Sequence, residues 1–175
     1  GLLTDQDENK VNTMVAYTAD QYHASVTYSK QHNGWDAWSY YATTDAASDS
    51  AIDSADAYAF RAWWRPEETG TAVPSISVGY DVSETAKATS GQTDMYFVGL
   101  QWQDMFSADD RIGLAFGQPQ KREDETTDPF AWEAYYQFQV NDSISITPAV
   151  FGGSDRNGTA GADITGGVLE TTFKF

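Results

Sequence analysis

Thr165-Gly-Gly-Val-Leu-Glu-Thr-Thr-Phe-Lys-Phe175, the last stretch of the sequence, decides how the rest is read. Gly167, Leu169, Thr171, Phe173 and Phe175 fall on one side of an extended chain, and Val168, Glu170, Thr172 and Lys174 on the other. Alternation with a period of two is the pattern of a strand with one buried face. Upstream, Phe130 to Val140 places Phe130, Trp132, Ala134, Tyr136, Phe138 and Val140 opposite Ala131, Glu133, Tyr135, Gln137 and Gln139. The Asn141-Asp142 pair then reads as a tight turn. Ser143 to Phe151 resumes with Ile144, Ile146, Pro148 and Val150, where Pro148 is expected near a strand end or a bulge because it has no N–H for a ladder.

The same alternation recurs in 111–117, 94–103, 74–82, 57–65, 21–29 and 11–18, which makes nine strands and no helix. The connections predict antiparallel hairpins. They alternate long and short, from Gly152–Ile164 back to the longest, Lys30–Asp56, and the tight turn at Ala19-Asp20. Short turns on one side and long loops on the other are the habit of outer-membrane barrels. With Phe175 on the short-turn side, Tyr17, Trp64, Trp102, Phe138 and Phe175 gather near one rim of the apolar face. Tyr28, Tyr58, Tyr80, Tyr96, Phe116 and Trp132 gather near the other, with Val26, Val78, Val98 and Leu114 between. Two aromatic girdles around an aliphatic band fit a lipid-facing surface. The expected fold is therefore all-β, an antiparallel transmembrane β-barrel with its polar face inward.

Composition is compatible with this reading. Mean hydropathy is −0.51, and no run approaches the roughly 18 apolar residues of a membrane helix, but barrels conceal their membrane surface in alternation. The absence of cysteine excludes disulfides and thiolate metal sites, and a net charge of −16 argues against nucleic acid, whose phosphates require Lys and Arg. Nine is an odd number of strands, whereas bacterial single-chain barrels have even numbers. The expectation is additional chain before Gly1, completing a larger barrel of roughly 16 strands; a tenth strand within Trp35–Thr44 is the competing repair.

Three segments resemble one family. They are Arg61-Ala-Trp-Trp-Arg-Pro-Glu-Glu-Thr-Gly70 running on to Val73-Pro-Ser-Ile-Ser-Val-Gly-Tyr80, Trp132-Glu-Ala-Tyr-Tyr-Gln-Phe-Gln-Val140 continuing to Phe151, and the closing Thr171-Thr-Phe-Lys-Phe175. They are similar to the major outer-membrane porins of cyanobacteria, a carbohydrate-selective-porin-like family with an N-terminal S-layer homology domain. The resemblance implies that residues 1–175 are the C-terminal part of such a barrel, with the N-terminal strands and cell-wall-binding domain outside this sequence. It implies passive diffusion of small hydrophilic solutes or ions across the outer membrane, contact with lipid and lipopolysaccharide, and a homotrimer, as is general among porins. The alternative is a structural or receptor-like barrel, an envelope anchor or phage docking site, without an open pore.

The expected lumen-lining residues are His23, Arg61, Trp63, Arg65, Asp81, Gln101, Glu133, Gln137, Glu170 and Lys174. Lumen charges tune ion selectivity, so Arg61 and Arg65 are candidates to attract anions, opposed by the carboxylates. Trp35, Trp38, Tyr40 and Tyr41 stand in the longest loop, where they could narrow the channel, cap it or meet a neighbouring subunit. No catalytic residue, cofactor or metal is expected. His23 and His32 are the only histidines, and no G-x-S-x-G elbow is present. The acidic sets Asp45, Asp49, Asp53, Asp56 and Asp155, Asn157, Asp163 do not form an EF-hand.

Overall fold

The computed structural model describes residues 9–32, 54–86 and 91–174, without the side chains of residues 9, 31, 32, 54, 85, 86 and 157. The described residues form nine strands: β1 (Asn9–Thr18), β2 (Tyr22–His32), β3 (Ser54–Trp64), β4 (Ser75–Ala86), β5 (Gln92–Gln103), β6 (Arg111–Arg122), β7 (Phe130–Asn141), β8 (Ile144–Ser154) and β9 (Ile164–Phe173). One 3₁₀ turn at Arg156–Gly158 interrupts the connection before β9. The strands make a single antiparallel meander, each pairing with its sequence neighbour, and β1 and β9 are its two edges. In such a meander β1 and β9 run in the same direction.

Register keeps the two faces separate across the whole sheet. Val15, Val26, Phe60, Tyr80 and Tyr96 lie side by side, as do Tyr22, Trp64, Ile76, Leu100, Leu114, Ala134 and Val150. A slip of one residue at any ladder would mix the faces. Aromatic neighbours meet on the apolar face: Tyr17 with Tyr22 (5.9 Å between ring centres), Tyr28 with Tyr58 (5.1 Å) and Tyr136 with Phe138 (5.7 Å). The first two pairs join neighbouring strands, and cross-strand pairs of this kind stabilise a sheet by roughly 0.2–1 kcal/mol each, whereas Tyr136 and Phe138 are neighbours along β7.

Most strands run further than their apolar alternation. β4 continues to Ala86, β5 starts at Gln92 and β6 reaches Arg122, so pairing goes on through polar residues past the apolar band. The strict alternation of long and short connections is lost as a result. Residues 87–91 now join β4 to β5, whereas the nominally short β3–β4 connection spans 65–74. His32 ends β2, and Asp56 lies within β3; neither stands in a loop. Two prolines sit inside strands. Pro119 occupies β6 where its pairing with β5 shifts register, a bulge that tolerates a missing N–H. Pro148, expected at an end or bulge, is inside β8: the ladder to β9 runs through it, while pairing with β7 lapses opposite Thr147 and Pro148. The possible strand at 35–44 and the ring of Phe175 lie outside the described residues.

Candidate functional site

The two faces differ in exposure in the opposite sense to a water-soluble sheet. Large apolar side chains stand open on the apolar face, among them Val15 (74% exposed) and Leu169 (68%), together with Tyr17, Val26, Phe60, Trp64, Val78 and Tyr80. Seven of the eight buried strand positions, Ser25, Ala55, Gly79, Thr93, Gly113, Gly117 and Ser145, belong to the polar face; the eighth, Gly152, is covered by the Trp132 indole on the apolar face. Ala55 is the one buried hydrophobic residue among those described. The polar face is thus the more occluded side, and no apolar core lies behind either face among the described residues.

The expected lining residues share this polar face. His23 is paired with Trp63, and Arg61 is flanked by Ser25 and Gly79; Gln101 faces Ser75, Gln137 faces Arg111, Glu133 lies between Ala115 and Phe151, and Glu170 faces Thr147. Two clusters form near β2–β5. The His23 ring stacks parallel to Trp63 at 6.0 Å, and the Arg65 guanidinium also lies over that indole, 5.6 Å from its ring centre. His23 Nδ1 is also 2.7 Å from Thr18 Oγ1, and Arg65 Nε donates to the Asp20 carbonyl at 2.7 Å. Beside them Arg61 grips Asp81 with two nitrogens, one of them at 2.8 Å, and lies 5.5 Å from the Phe97 ring centre. A bidentate pair fixes the guanidinium plane as well as its charge. Arg61 and Arg65 therefore do not form one free cationic cluster. Lys174 lies apart from both, in a recess at the short-turn end with Arg111, Gln137, Gln139 and Thr172.

Three aromatic rings lie on this face, of which the alternation had already placed Tyr135 on the polar side, though not as a lining residue. Phe97 lies across Gly79, Tyr135 across Gly113 and Phe151 across Gly166; a Cβ at any of these glycines would enter the ring. Gln101 Nε2 donates to the Tyr135 hydroxyl at 2.9 Å and holds that ring down. Glycine opposite an aromatic is the recognisable signal, but it needs the register, which the sequence does not state. Arg111 was also missed, although its alternation with Ile112 and Leu114 already places it with the polar residues.

Polar groups close both margins of the apolar face. On the long-connection side Tyr28 donates to Asp56, which also pairs with Lys30 at 3.3 Å; Asp94, Gln118 and the Lys121–Asp128 pair continue this collar. On the short-turn side Trp102 Nε1 donates to the Ala72 carbonyl at 3.0 Å, and the Tyr136 hydroxyl donates to Asp110 at 3.0 Å. Asp110 is fully buried and also accepts the backbone N–H groups of Met105, Phe106 and Ser107 at 2.8, 3.0 and 3.1 Å. Burial pushes its carboxyl up, but the donors at Phe106, Tyr136, Ser107 and Met105 outweigh that and hold it below the ordinary 3.8.

Among the described residues no group of three acidic or histidine side chains is placed to hold a metal ion. Asp155 accepts from Gly161 N–H at 2.7 Å and Asp163 from Asp155 N–H, so both shape their turn. Asp45, Asp49, Asp53, the four aromatics from Trp35 to Tyr41, and the side chains of His32 and Asn157 lie outside the described residues. The structure thus defines a class: an all-β antiparallel meander with an exposed apolar face and an occluded polar one. Comparison with protein-family models, curated proteins and solved structures gave no match.

Proposed function

We propose that this chain is part of an outer-membrane porin whose polar face lines a water-filled channel. The supporting observation is the exposure of large apolar side chains on every strand but β6, where Ile112, Leu114 and Phe116 are half-buried, while the occluded strand positions are polar or small. Water penalises an apolar surface of this extent; hydrocarbon does not. The aliphatic band would sit in lipid, with the aromatic residues and the Lys30–Asp56 collar at the headgroups, where amphipathic rings are favoured. The unpaired backbone groups of β1 and β9 cannot remain open in lipid, so additional strands would close the sheet into a larger barrel. The resemblance to cyanobacterial porins supports the same location, contact with lipopolysaccharide and a trimeric assembly.

In this reading transport is passive and involves no turnover. The three flattened rings leave the bore wide, and Gln101, Gln137, His23 and the charged groups replace part of a solute's hydration. The direct test is single-channel conductance of the full-length protein in a planar bilayer. Stepwise ohmic currents that scale with salt are expected. Folded, inserted protein without conductance would overturn the channel and leave a structural or receptor-like barrel.

A further inference from the structure

The chain is strongly acidic, with a formal charge of −16, yet its polar face is not. Register and alternation place Lys10, Arg61, Arg65, Arg111, Arg122 and Lys174 on that face, against only Asp81, Glu133 and Glu170. Among the described residues, six basic side chains are thus gathered on a face whose strands carry three carboxylates, with Asp109 and Asp142 added at its short-turn margin. Most other described carboxylates stand in the connections, such as Glu67, Glu68, Glu123, Asp124 and Asp163, or on the collar of the apolar face.

The six cations are not equally available. Arg61 is neutralised by Asp81, and Arg122 pairs with Asp124 at 2.9 Å. Arg65 is spread over Trp63 and tied to the Asp20 carbonyl. Lys10, at the long-connection end of the edge strand β1, Arg111 and Lys174 form no ion pair among the described residues, and the last two stand together. Those two line one recess at the short-turn end with Gln137, Gln139 and Thr172. Asp109 and Asp142 border that recess from the turns without closing on either cation. Glu170 is engaged by the Thr172 hydroxyl at 3.2 Å.

We propose that the polar face passes small inorganic anions in preference to cations, and that Arg111 and Lys174 set this preference. The proposal rests on the channel reading above. Wall charges attract counter-ions across about one Debye length, roughly 8 Å at physiological salt, so unpaired cations at a mouth bias the ions that enter.

The test is the reversal potential of the full-length protein in a planar bilayer across a KCl gradient. Chloride is expected to be favoured over potassium by roughly two- to tenfold near 0.1 M salt, with the ratio approaching unity near 1 M as the Debye length shrinks to about 3 Å. The double variant Arg111→Glu/Lys174→Glu, checked for folding by its heat-modifiable gel mobility, should move the ratio several-fold toward potassium. Glu133→Gln should move it the other way. A cation preference in the parent protein, or a double variant that leaves the ratio unmoved, overturns the anion assignment while the channel stands. Absence of any current overturns both.

Discussion

Asp110 shows how one carboxylate can hold a turn. Residues 104–110 reverse the chain between β5 and β6 with Asp104 and Asp109 both in the left-handed region, at φ 58° and 64°. Non-glycine residues adopt that conformation at a cost, and the three backbone N–H groups converging on Asp110 offset it. Asp110→Asn keeps the shape but loses the charge-assisted bonds. Amide exchange at Met105, Phe106 and Ser107 should then accelerate by roughly tenfold or more. The pH dependence follows from the lowered carboxyl pKa. The stabilisation is complete above the ordinary 3.8 and is lost as pH falls through the lower folded value. In the parent protein, exchange at these three amides should therefore stay slow at pH 5 and rise only well below 3.8. A rise already complete at pH 5 would refute the assignment. None of this was legible beforehand, because Asp104-Met-Phe-Ser-Ala-Asp-Asp110 reads only as a polar turn and the clasp depends on its three-dimensional closure.

At the scale of the strand, alternation alone located all nine elements and sorted their faces. It misjudged their ends for a physical reason. Apolar periodicity reports the band that a strand buries, whereas the backbone ladder continues through Gln118, Gln120 and Arg122 in β6 and through Ser83 and Glu84 in β4. Pro119 would have argued for a stop, and only the bulge beside it allows β6 to go on. The faces themselves can be tested by placing a charge on each. Val98→Arg, in the middle of β5 on the apolar face, should destabilise the bilayer-embedded protein by roughly 2–4 kcal/mol. Ala115→Arg, on the neighbouring strand but the polar face, should cost under about 1 kcal/mol. Urea unfolding from lipid vesicles measures both. Equal, small effects would mean that the apolar face is not in lipid.

At the scale of the whole molecule, the direction of the edges limits how the sheet can close. β1 and β9 point the same way, so an antiparallel seam between them needs an odd number of intervening strands and gives an even total. Residues 1–175 contain no cysteine, so pairs introduced among them add the only thiols in this stretch. In the full-length protein a short thiol crosslinker should join Val15→Cys to Val26→Cys, which are partners between β1 and β2. It should not join Val15→Cys to Leu169→Cys within one molecule. Efficient crosslinking of the second pair would mean that β1 and β9 meet directly, against the parity argument. The nine described strands and their direction were legible in the sequence, whereas the pairing of charges within the polar face was not. Arg61 and Asp81 are 20 residues apart, and only the packing of β3 against β4 brings them together.

The meander also determines how the molecule can assemble. Every substantial contact between strands joins neighbours in sequence. Each hairpin closes a short loop, apart from the long span between β2 and β3, so little chain entropy is lost at any single step. Growth can proceed like a zipper from an existing edge, each new strand using the last as its template. A sheet built this way offers a template for the next strand at every stage, so growth needs no contact with strands distant in sequence.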